Sequence, residues 1–340
     1  MNVLVGENGH GKTNILEAVH FLKFGRSFRT TRDTDLICFE QPFCRFEIQS
    51  ECADGSRETF AVTIERRGGK HIKIDGKEVP KLSELVGRYA CVMFGPQDLG
   101  LVSGLPAERR KFMDMVGSMT DRGYLDELKG YKRVLMQRNA ALRKGDFQSA
   151  FGVWTEDLLR RGCAMAERRG RLVGCLNDFM QPHAQRLDIS WAVQITYESE
   201  LDKGRPEEVT REQHFAAHLA AAEAEETRRR TTMVGPHRDD LRLVAAGRDL
   251  RRYGSQGQRR LAAILLRLTE LSYLESTLEE PCVLLLDDVF SELDPATSGA
   301  LKRDLDGSRQ IFVTSPDDVE WQGDVRHFRV SNGTVEEAAG

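Results

Sequence analysis

The chain has 340 residues, of which 40% are hydrophobic and 30% charged, and its formal net charge is −4. This composition is typical of a soluble globular protein with apolar material for two domains, and no run approaches the roughly 18 apolar residues of a membrane span. The seven cysteines are scattered without a C-x-x-C pair, which argues against disulfides or a zinc site and favours the reducing cytoplasm.

The first predicted element is a short apolar strand, Val3 to Val5, and a glycine-rich segment follows it directly. The segment reads Gly6-Glu7-Asn8-Gly9-His10-Gly11-Lys12-Thr13-Asn14. It fits the phosphate-binding loop G-x-x-x-x-G-K-S/T, and the apolar periodicity from Ile15 to Leu22 predicts the helix that this loop requires. Glycines let backbone N–H groups turn inward around phosphate oxygens. We expect the whole segment to bind a nucleotide, with Lys12 on its outer phosphates and Thr13 on Mg2+.

Residues 43–94 alternate between apolar and polar side chains in the manner of strands. The clearest stretches are Arg45–Gln49, Phe60–Ile64 and His71–Ile74. Asp75-Gly76 supplies a turn signal after the last of them. This part of the chain predicts an antiparallel sheet.

From Ala107 to about Gln181 the apolar period is helical, with a break around Lys144-Gly145-Asp146. Two amphipathic helices separated by such a break predict a helical hairpin or a short coiled-coil arm. Leu128, Leu135 and Leu142 keep a heptad spacing. That spacing is equally compatible with ordinary helix packing inside a globular lobe, so both interpretations stay open.

A third helix is predicted from Arg211 to Glu226, and an amphipathic helix from Gln256 to about Glu275. Strand character is found at Ile189–Glu198, Thr231–Val234 and Leu241–Val244. His214 and His218 lie four residues apart on the third helix. A solvated helix face is expected there rather than a metal site, because no third ligand is near in sequence.

Several basic clusters occur despite the negative net charge. They are Arg109-Arg110-Lys111, Arg168-Arg169, Arg228-Arg229-Arg230, Arg251-Arg252 and Arg259-Arg260. Each is as compatible with a solvated face balanced by nearby acids as with a nucleic-acid contact. The clusters alone therefore do not locate a DNA-binding face.

Near the end of the chain, Val283 to Leu286 forms a continuous apolar run that ends in Asp287 and Asp288. Such a run is required of a parallel strand covered on both faces. We expect Asp287 to bind Mg2+, and Asp288 to polarise the water that attacks the nucleotide. This is the Walker B pattern, and with the phosphate-binding loop it predicts an ATP site.

Two further segments resemble the signature motif and D-loop of the ABC ATPase superfamily. Ser255-Gln256-Gly257-Gln258 opens the amphipathic helix with Ser255 as a natural N-cap, and Ser291-Glu292-Leu293-Asp294 follows the Walker B run. In that superfamily the signature of one subunit closes over the nucleotide bound to the other. The resemblance implies an ATP-dependent homodimer, in which Ser255, Gly257 and Gln258 contact the partner's nucleotide and Ser255 acts on its γ-phosphate.

The insert between Lys12 and Asp287 is far longer than that of transporter ATPase subunits. It holds a sheet and a helical arm, as in the heads of SMC and Rad50-type proteins. Over nearly its whole length the chain resembles the RecF family of bacterial recombination mediators. The matching segments are Gly6–Glu17 (GENGHGKTNILE), Phe24–Thr30 (FGRSFRT), Pro96–Asp114 (PQDLGLVSGLPAERRKFMD), Gly235–Leu241 (GPHRDDL), Tyr253–Gln258 (YGSQGQ) and Leu284–Asp294 (LLLDDVFSELD).

The resemblance implies an α/β P-loop NTPase of the ABC/SMC/Rad50-like head type, with an antiparallel β subdomain and an inserted helical lobe. Residues 1–105 and 227–340 would form the head, and residues 106–226 the lobe. It also implies a weak, DNA-stimulated ATPase whose ATP-driven dimer binds duplex and gapped DNA. Such a protein works with RecO and RecR in placing RecA on single-strand gaps, in DNA repair, replication and the SOS response.

Two rival functions are carried alongside this one. A transporter ATPase subunit is disfavoured by the length of the insert and by the lack of any membrane-coupling context. A scaffold that senses ATP without hydrolysing it would carry the same loop and the same Walker B run. Turnover of ATP is the observation that separates that scaffold from an ATPase.

The chain also departs from the family pattern in places. Family members begin with a further strand and loop before the phosphate-binding loop, so we expect a misassigned start codon. Gln97 stands where an acidic residue is more common, and it is expected to act at the nucleotide like the Gln-loop glutamine of ABC proteins. The strand Ile311–Ser315 ends without a switch histidine, which implies slow hydrolysis. Arg26 and Arg29 fit nucleotide ordering, DNA contact or a structural salt bridge equally, and His237 is left without a role.

Overall fold

The computed structural model describes residues 1–51, 55–305, 309–317, 321 and 324–338. The chain forms two compact units. The first comprises Met1–Pro96 and Leu274–Gly340, and the second comprises Gln97–Tyr273. These boundaries place residues 97–105 and 227–273 in the second unit, whereas the sequence assigns them to the ATPase head. The functional division into head and lobe stays a prediction.

Strands and helices alternate along most of the described chain. The strands are β1 (Asn2–Val5), β2 (Phe43–Glu51), β3 (Arg57–Glu65), β4 (Gly69–Ile74), β5 (Lys77–Glu78), β6 (Cys91–Phe94), β7 (Val193–Glu198), β8 (Asp240–Ala245), β9 (Arg248–Asp249), β10 (Val283–Asp287), β11 (Ile311–Ser315), β12 (Arg326–Ser331) and β13 (Thr334–Glu337). The helices are α1 (Lys12–Phe24), α2 (Leu99–Ser103), α3 (Pro106–Thr120), α4 (Arg122–Lys144), α5 (Phe147–Phe151), α6 (Val153–Arg186), α7 (Arg211–Arg229), α8 (Leu250–Tyr253), α9 (Gln256–Leu278) and α10 (Pro295–Leu305).

The first unit is built on a six-stranded sheet in the order β13-β12-β1-β11-β10-β6. β1 is parallel to both of its neighbours, and β10 is parallel to β11 and β6. Only β13 pairs antiparallel, at one edge of this sheet. Leu284, Leu285 and Leu286 are fully buried, as a parallel strand covered on both faces requires. The predicted strands at Val3–Val5 and Val283–Asp287 are confirmed.

A second sheet of the first unit is antiparallel, in the order β2-β3-β4-β5. The predicted turn joins β4 to β5, and Asp75 and Gly76 take φ angles of 48° and 78° there. Positive φ at both central residues is the geometry that a two-residue hairpin favours. The predicted antiparallel sheet is therefore confirmed for residues 43–78, whereas β6, at the end of the predicted range, lies in the other sheet, parallel to β10.

Helix α1 packs against both sheets of the first unit. Leu16 joins an apolar cluster with Leu4 and Leu285 of the parallel sheet. Further along the same helix, Phe21 joins a second apolar cluster, which includes Phe60 of the antiparallel sheet. Contacts on two sides fix the position of α1, and with it the position of the loop that leads into its first turn.

The second unit contains the predicted helical hairpin. α4 ends at Gly145, which takes a φ of 79°, and Asp146 then caps α5 by accepting the Ser149 N–H at 3.1 Å. α4 packs against α3, α5 and α6. Leu128 and Leu142 are buried whereas Leu135 is only half-buried, so the heptad leucines belong to ordinary packing inside a lobe. Among the described residues, none of the helices combines the length and apolar character needed to cross a bilayer.

The predicted strand at Thr231–Val234 is wrong. The Thr232 N–H donates to the side chain of Asn139 at 2.7 Å, and the Met233 N–H donates to the carboxylate of Glu226 at 2.7 Å. Side chains from α4 and α7 thus satisfy backbone groups that a neighbouring strand would otherwise satisfy. The other two predicted strands of this unit are confirmed as β7 and β8, although β7 begins only at Val193.

Two arginines of the basic clusters are buried, and so is His214, which was expected on a solvated helix face. Arg109 and Arg169 are 2% and 3% exposed, and Arg169 donates to Asp114 at 2.9 Å and to Asp239 at 2.7 Å. His214 is also buried, and its Nδ1 lies 3.0 Å from the Leu201 carbonyl oxygen. Among the described residues, no three His, Cys, Asp or Glu side chains are grouped so that they could hold a metal ion. These polar groups serve the core of the lobe.

His237 has a structural role in this unit. Its Nδ1 lies 2.7 Å from the Tyr131 hydroxyl, and its Nε2 lies 3.2 Å from the Thr232 carbonyl oxygen. Since a carbonyl only accepts, Nε2 carries the proton and Nδ1 accepts from tyrosine. Burial lowers the pKa of His237 to about 4, which keeps the ring neutral at pH 7. The same turn carries Asp239, which also accepts from the Tyr197 hydroxyl at 2.6 Å.

The buried ion pair between Arg138 and Glu226 gives a stability prediction. Their side chains are 1% and 0% exposed, with Nη2 2.6 Å from Oε2. Glu226→Ala leaves the guanidinium buried without its counter-charge, and we expect a loss of about 3–5 kcal/mol in the free energy of unfolding. Urea denaturation followed by circular dichroism measures it.

The matched control for that variant is Glu225→Ala. Glu225 is the preceding residue and pairs at the surface with Arg228 and Arg229. We expect its removal to leave the denaturation midpoint unchanged, because exposed pairs contribute little. Equal midpoints for the two variants would contradict the importance of the buried pair.

Candidate nucleotide-binding site

The predicted phosphate-binding loop leaves the carboxyl end of β1 and leads into α1. Gly9 and Gly11 take φ angles of 86° and 101°, which favour glycine. A Cβ atom at Gly6 would lie 2.1 Å from the Val330 carbonyl oxygen, so only glycine fits beside β12. No described side chain caps α1 and its first turn holds no acidic residue, which leaves its leading N–H groups to an anion.

Lys12 is held over this loop. Its side chain is buried, and its ammonium donates to the carbonyl oxygens of Gly6 and Glu7, the latter at 3.0 Å. The Lys12 ammonium thus lies against the phosphate-binding loop. It is placed to bind the phosphates that this loop would hold.

Three elements meet at the carboxylate of Asp287. Its Oδ1 accepts hydrogen bonds from the hydroxyls of Thr13 at 2.9 Å and Thr314 at 2.7 Å. Thr13 lies in the first turn of α1, Asp287 ends β10, and Thr314 lies near the end of β11. Carboxylate and hydroxyl oxygens are ligands that Mg2+ prefers, so the donor set fits this ion.

Asp288 follows directly and has an unusual conformation. Its φ is 51°, in the left-handed region, and its N–H lies 3.0 Å from the Thr314 hydroxyl oxygen. Its Oδ1 is buried without a hydrogen-bond partner among the described residues. Both features cost free energy, and such costs cluster at functional sites. Asp288 as a whole is half-buried, and a carboxylate is a group suited to accept a proton from water.

Thr314 is the residue of this cluster that the sequence analysis missed. It is 1% exposed, donates to Asp287 and accepts from the Asp288 N–H, so it links the two carboxylate residues. A signal for it existed. The polar pair Thr314-Ser315 closes an apolar strand, and the carboxyl ends of neighbouring parallel strands lie at the same edge of a sheet.

Arg29 folds back onto α1. Its Nη1 donates to the Asn14 side chain at 2.9 Å and pairs with Glu17 at 3.4 Å, and the Ser27 hydroxyl also donates to Glu17. Of the three roles that the sequence left open for Arg29, the salt bridge is therefore present. Arg26 is exposed and makes no ion pair within the described part of the chain.

The signature-like segment lies in the second unit, at the start of α9. The Gln258 N–H donates to the Ser255 hydroxyl at 3.2 Å, and the Ser255 N–H donates to the Gln258 side chain at 2.9 Å. This reciprocal capping box confirms Ser255 as the N-cap. Ser255 and Gly257 are exposed, which leaves their surface open to another molecule. Gln97 is also exposed and also lies in the second unit, and its role at the nucleotide stays a prediction.

The D-loop-like segment, Ser291–Asp294, follows closely after Asp288. The Ser291 hydroxyl donates to the Asp288 carbonyl oxygen at 2.9 Å. Asp294 caps α10 by accepting the N–H groups of Thr297 and Ala296 at 3.0 and 3.1 Å, and the bonds from Thr297 lower the pKa of the Asp294 carboxyl. Hydrogen bonds thus order this segment at both of its ends.

The fold and the site define the class of the protein. The family model described as "RecF/RecN/SMC N terminal domain" matches residues 1–334. A solved Smc head bound to the C-winged helix domain of ScpA covers 99% of this chain at 14% identity, with a TM-score of 0.55, and shares the fold. The first unit, with its phosphate-binding loop and Walker B carboxylates on a parallel sheet, is that of a P-loop ATPase head.

Relatives with higher sequence identity show to which family of P-loop ATPase heads the chain belongs. The "DNA replication and repair protein RecF" of Symbiobacterium thermophilum is 39% identical over 348 residues, which cover 98% of this chain and 92% of the relative. The protein of the same name from Chlorobium phaeobacteroides is 35% identical, over 95% and 91%. A solved structure of "the recombination mediator protein RecF-ATP in RecFOR pathway" covers 99% of this chain and 91% of its own at 31% identity, with a TM-score of 0.89. The chain belongs to the RecF family.

The position of Thr314 gives a prediction. Thr314→Val removes the hydroxyl and keeps the shape of the side chain, so Asp287 loses its orienting donor. We expect the rate of ATP hydrolysis at limiting Mg2+ to fall about 10–100-fold, the usual effect of removing a residue that orients a metal ligand. Phosphate release measured across a Mg2+ titration is the readout.

Thr314→Ser is the matched control because it retains the hydroxyl. We expect the serine variant to keep the Mg2+ requirement of the parent protein. An unchanged Mg2+ requirement in the valine variant would show that Asp287 is oriented without Thr314.

Proposed function

We propose that this chain is an ATP-dependent DNA-binding protein of recombinational repair and replication-fork maintenance. The observation that carries the proposal is the convergence of Thr13, Asp287 and Thr314 beside the loop that holds Lys12. The RecF structure named for bound ATP supports ATP as the ligand. The relatives named as DNA replication and repair proteins support the cellular process.

Each group of the first unit has a part in this proposal. Residues Gly6 to Asn14 hold the triphosphate, with Lys12 on its outer phosphates and the start of α1 directed at it. Thr13 and Asp287 would hold Mg2+, and this ion would supply positive charge against the phosphate oxygens. Asp288 takes a proton from the attacking water. Because β11 ends at Ser315 without a switch histidine, we expect hydrolysis to be slow.

The exposed start of α9 supports an ATP-dependent dimer. In this proposal Ser255 and Gly257 of one copy dock on the γ-phosphate held by the other, since helix N-termini favour anions. Gln97 and Gln258 complete the contacts to the nucleotide. Hydrolysis removes the group that the two copies share, so the copies separate and release DNA.

The proposed substrate of the dimer is duplex DNA near a single-strand gap. It is gripped by phosphate contacts, and DNA binding stimulates ATP turnover. RecR and RecO are the proposed partners, and RecA is the protein loaded on the gap. This work takes place on the chromosome, in the cytoplasm.

The proposed switch is tested first by sedimentation. The parent protein is run with and without ATP-Mg2+, and with a short gapped duplex. We expect dimers that carry DNA only when ATP is present. Lys12→Met removes the cation of the loop, and we expect it to abolish ATP binding, dimer formation and tight DNA binding together.

Lys203→Met is the matched control for that variant, because Lys203 is exposed in the second unit. We expect it to dimerise as the parent does. ATP-dependent dimers of the Lys12→Met variant would refute the composite-site proposal.

Asp288→Asn distinguishes an ATPase from a scaffold that senses ATP without turnover. An amide cannot take the proton from water, so we expect hydrolysis to fall about 10²–10⁴-fold while ATP binding and dimer formation remain. Single-turnover hydrolysis with labelled ATP measures the loss. A parent protein that binds ATP without turnover, and an Asp288→Asn variant indistinguishable from it, would favour the scaffold.

A further inference from the structure

A polar cleft lies in the second unit, beside β8 and α8. Its volume is about 190 Å3, and arginines from both elements line it: Arg242 from β8, and Arg251 and Arg252 from α8. Two carboxylates, Asp240 and Asp249, also line it. The charge that the cleft presents to a ligand therefore depends on which of these groups are already paired.

Both carboxylates of the cleft are already bound. Asp240 receives the guanidinium of Arg109 through two bonds, of 2.7 and 2.9 Å, and it also accepts the Leu241 N–H at 2.8 Å. Asp249 accepts the backbone N–H of Arg251 at 2.8 Å, as the cap of α8. Its other oxygen lies 3.9 Å from Arg242. Both carboxylates thus have partners other than the guanidinium groups of Arg251 and Arg252.

The arginines of the cleft differ in what they bind. Arg242 pairs with Glu198 at 2.6 Å. Arg251 and Arg252 are exposed, and within the described part of the chain their guanidinium groups form neither an ion pair nor a hydrogen bond. Arg248 of β9 is likewise exposed and without an ion pair there. The remaining binding capacity of the cleft therefore consists of guanidinium donors.

Guanidinium forks match the oxygens of a phosphate group. The uncharged lining is Val102, Leu241 and Leu243, so no aromatic face in the lining is available for a base to stack on. A free nucleotide would find donors for its phosphates and no partner for its base, whereas a nucleic-acid backbone presents phosphates alone. We propose that Arg251 and Arg252 bind backbone phosphates of DNA in this cleft.

This inference rests on the DNA binding proposed above and adds the surface that performs it. Contacts of this kind carry no sequence information, and they release counterions from the DNA. Binding through the cleft is thus independent of base sequence and weakens steeply with salt.

The test uses the full-length protein with ATP-Mg2+ and a fluorescent gapped duplex, titrated at several salt concentrations. The variant is Arg251→Ala with Arg252→Ala. Each lost phosphate contact reduces the slope of log K against log salt by about 0.9. We expect the slope to fall by roughly 1–2 and the affinity to fall on the order of tenfold at physiological salt.

A matched control removes the same charge from the same unit. Arg228→Ala with Arg229→Ala deletes two exposed arginines that are already held by Glu225. We expect the slope of this control to equal that of the parent protein. A third variant, Arg251→Lys with Arg252→Lys, retains the charges, and we expect it to restore most of the slope.

The outcomes separate the two proposals. A parent protein that binds no DNA refutes the proposed function, and the cleft with it. If the parent binds and the Arg251/Arg252 alanine variant matches the Arg228/Arg229 control, the cleft is not the DNA contact although the function stands. Loss of ATP binding or of ATP-dependent dimers in the alanine variant, measured without DNA, would assign these arginines to nucleotide contact and also overturn the inference. Equal thermal midpoints show that all variants are folded.

Discussion

The candidate nucleotide site depends on two hydroxyl groups that share one carboxylate oxygen. Thr13 and Thr314 both donate to Oδ1 of Asp287, so the start of α1 and the ends of β10 and β11 are held within hydrogen-bond distance of one another. Helix α1 packs against two sheets. Because apolar contacts on both sides fix the position of the helix, Thr13 in its first turn stays within reach of Asp287. Where such an arrangement is rigid, a metal or phosphate ligand binds without first ordering the protein.

Most of the elements around this site are predictable from sequence, because local pattern and tertiary role agree there. The glycines of the loop, the apolar strand before Asp287 and the capping box at Ser255 each have a short-range signal. Thr231–Val234 shows the opposite case. Its β-branched residues favour a strand, yet its N–H groups bind Asn139 and Glu226, which are brought near only by the packed fold.

The arginines show why charge patterns in a sequence do not locate a binding surface. Arg109 and Arg251 both lie in basic pairs, and nothing nearby in sequence separates them. In the structure Arg109 is buried against Asp240, 131 positions away, whereas Arg251 is exposed. A basic surface consists of the arginines that are left exposed after others have paired with carboxylates distant in sequence. Because local sequence does not show that pairing, it does not show the surface either.

The central place of β1 has a consequence for how the protein is made. β1 is hydrogen-bonded on one side to β11 and on the other to β12, strands from the last tenth of the chain or so. During synthesis on the ribosome, residues 97–273 emerge as one uninterrupted stretch and can fold while translation continues. The phosphate-binding loop is translated before this stretch but stays without its sheet until β12 has emerged. A nascent chain is therefore unable to assemble the candidate nucleotide site around β1 until β10, β11 and β12 have all been translated.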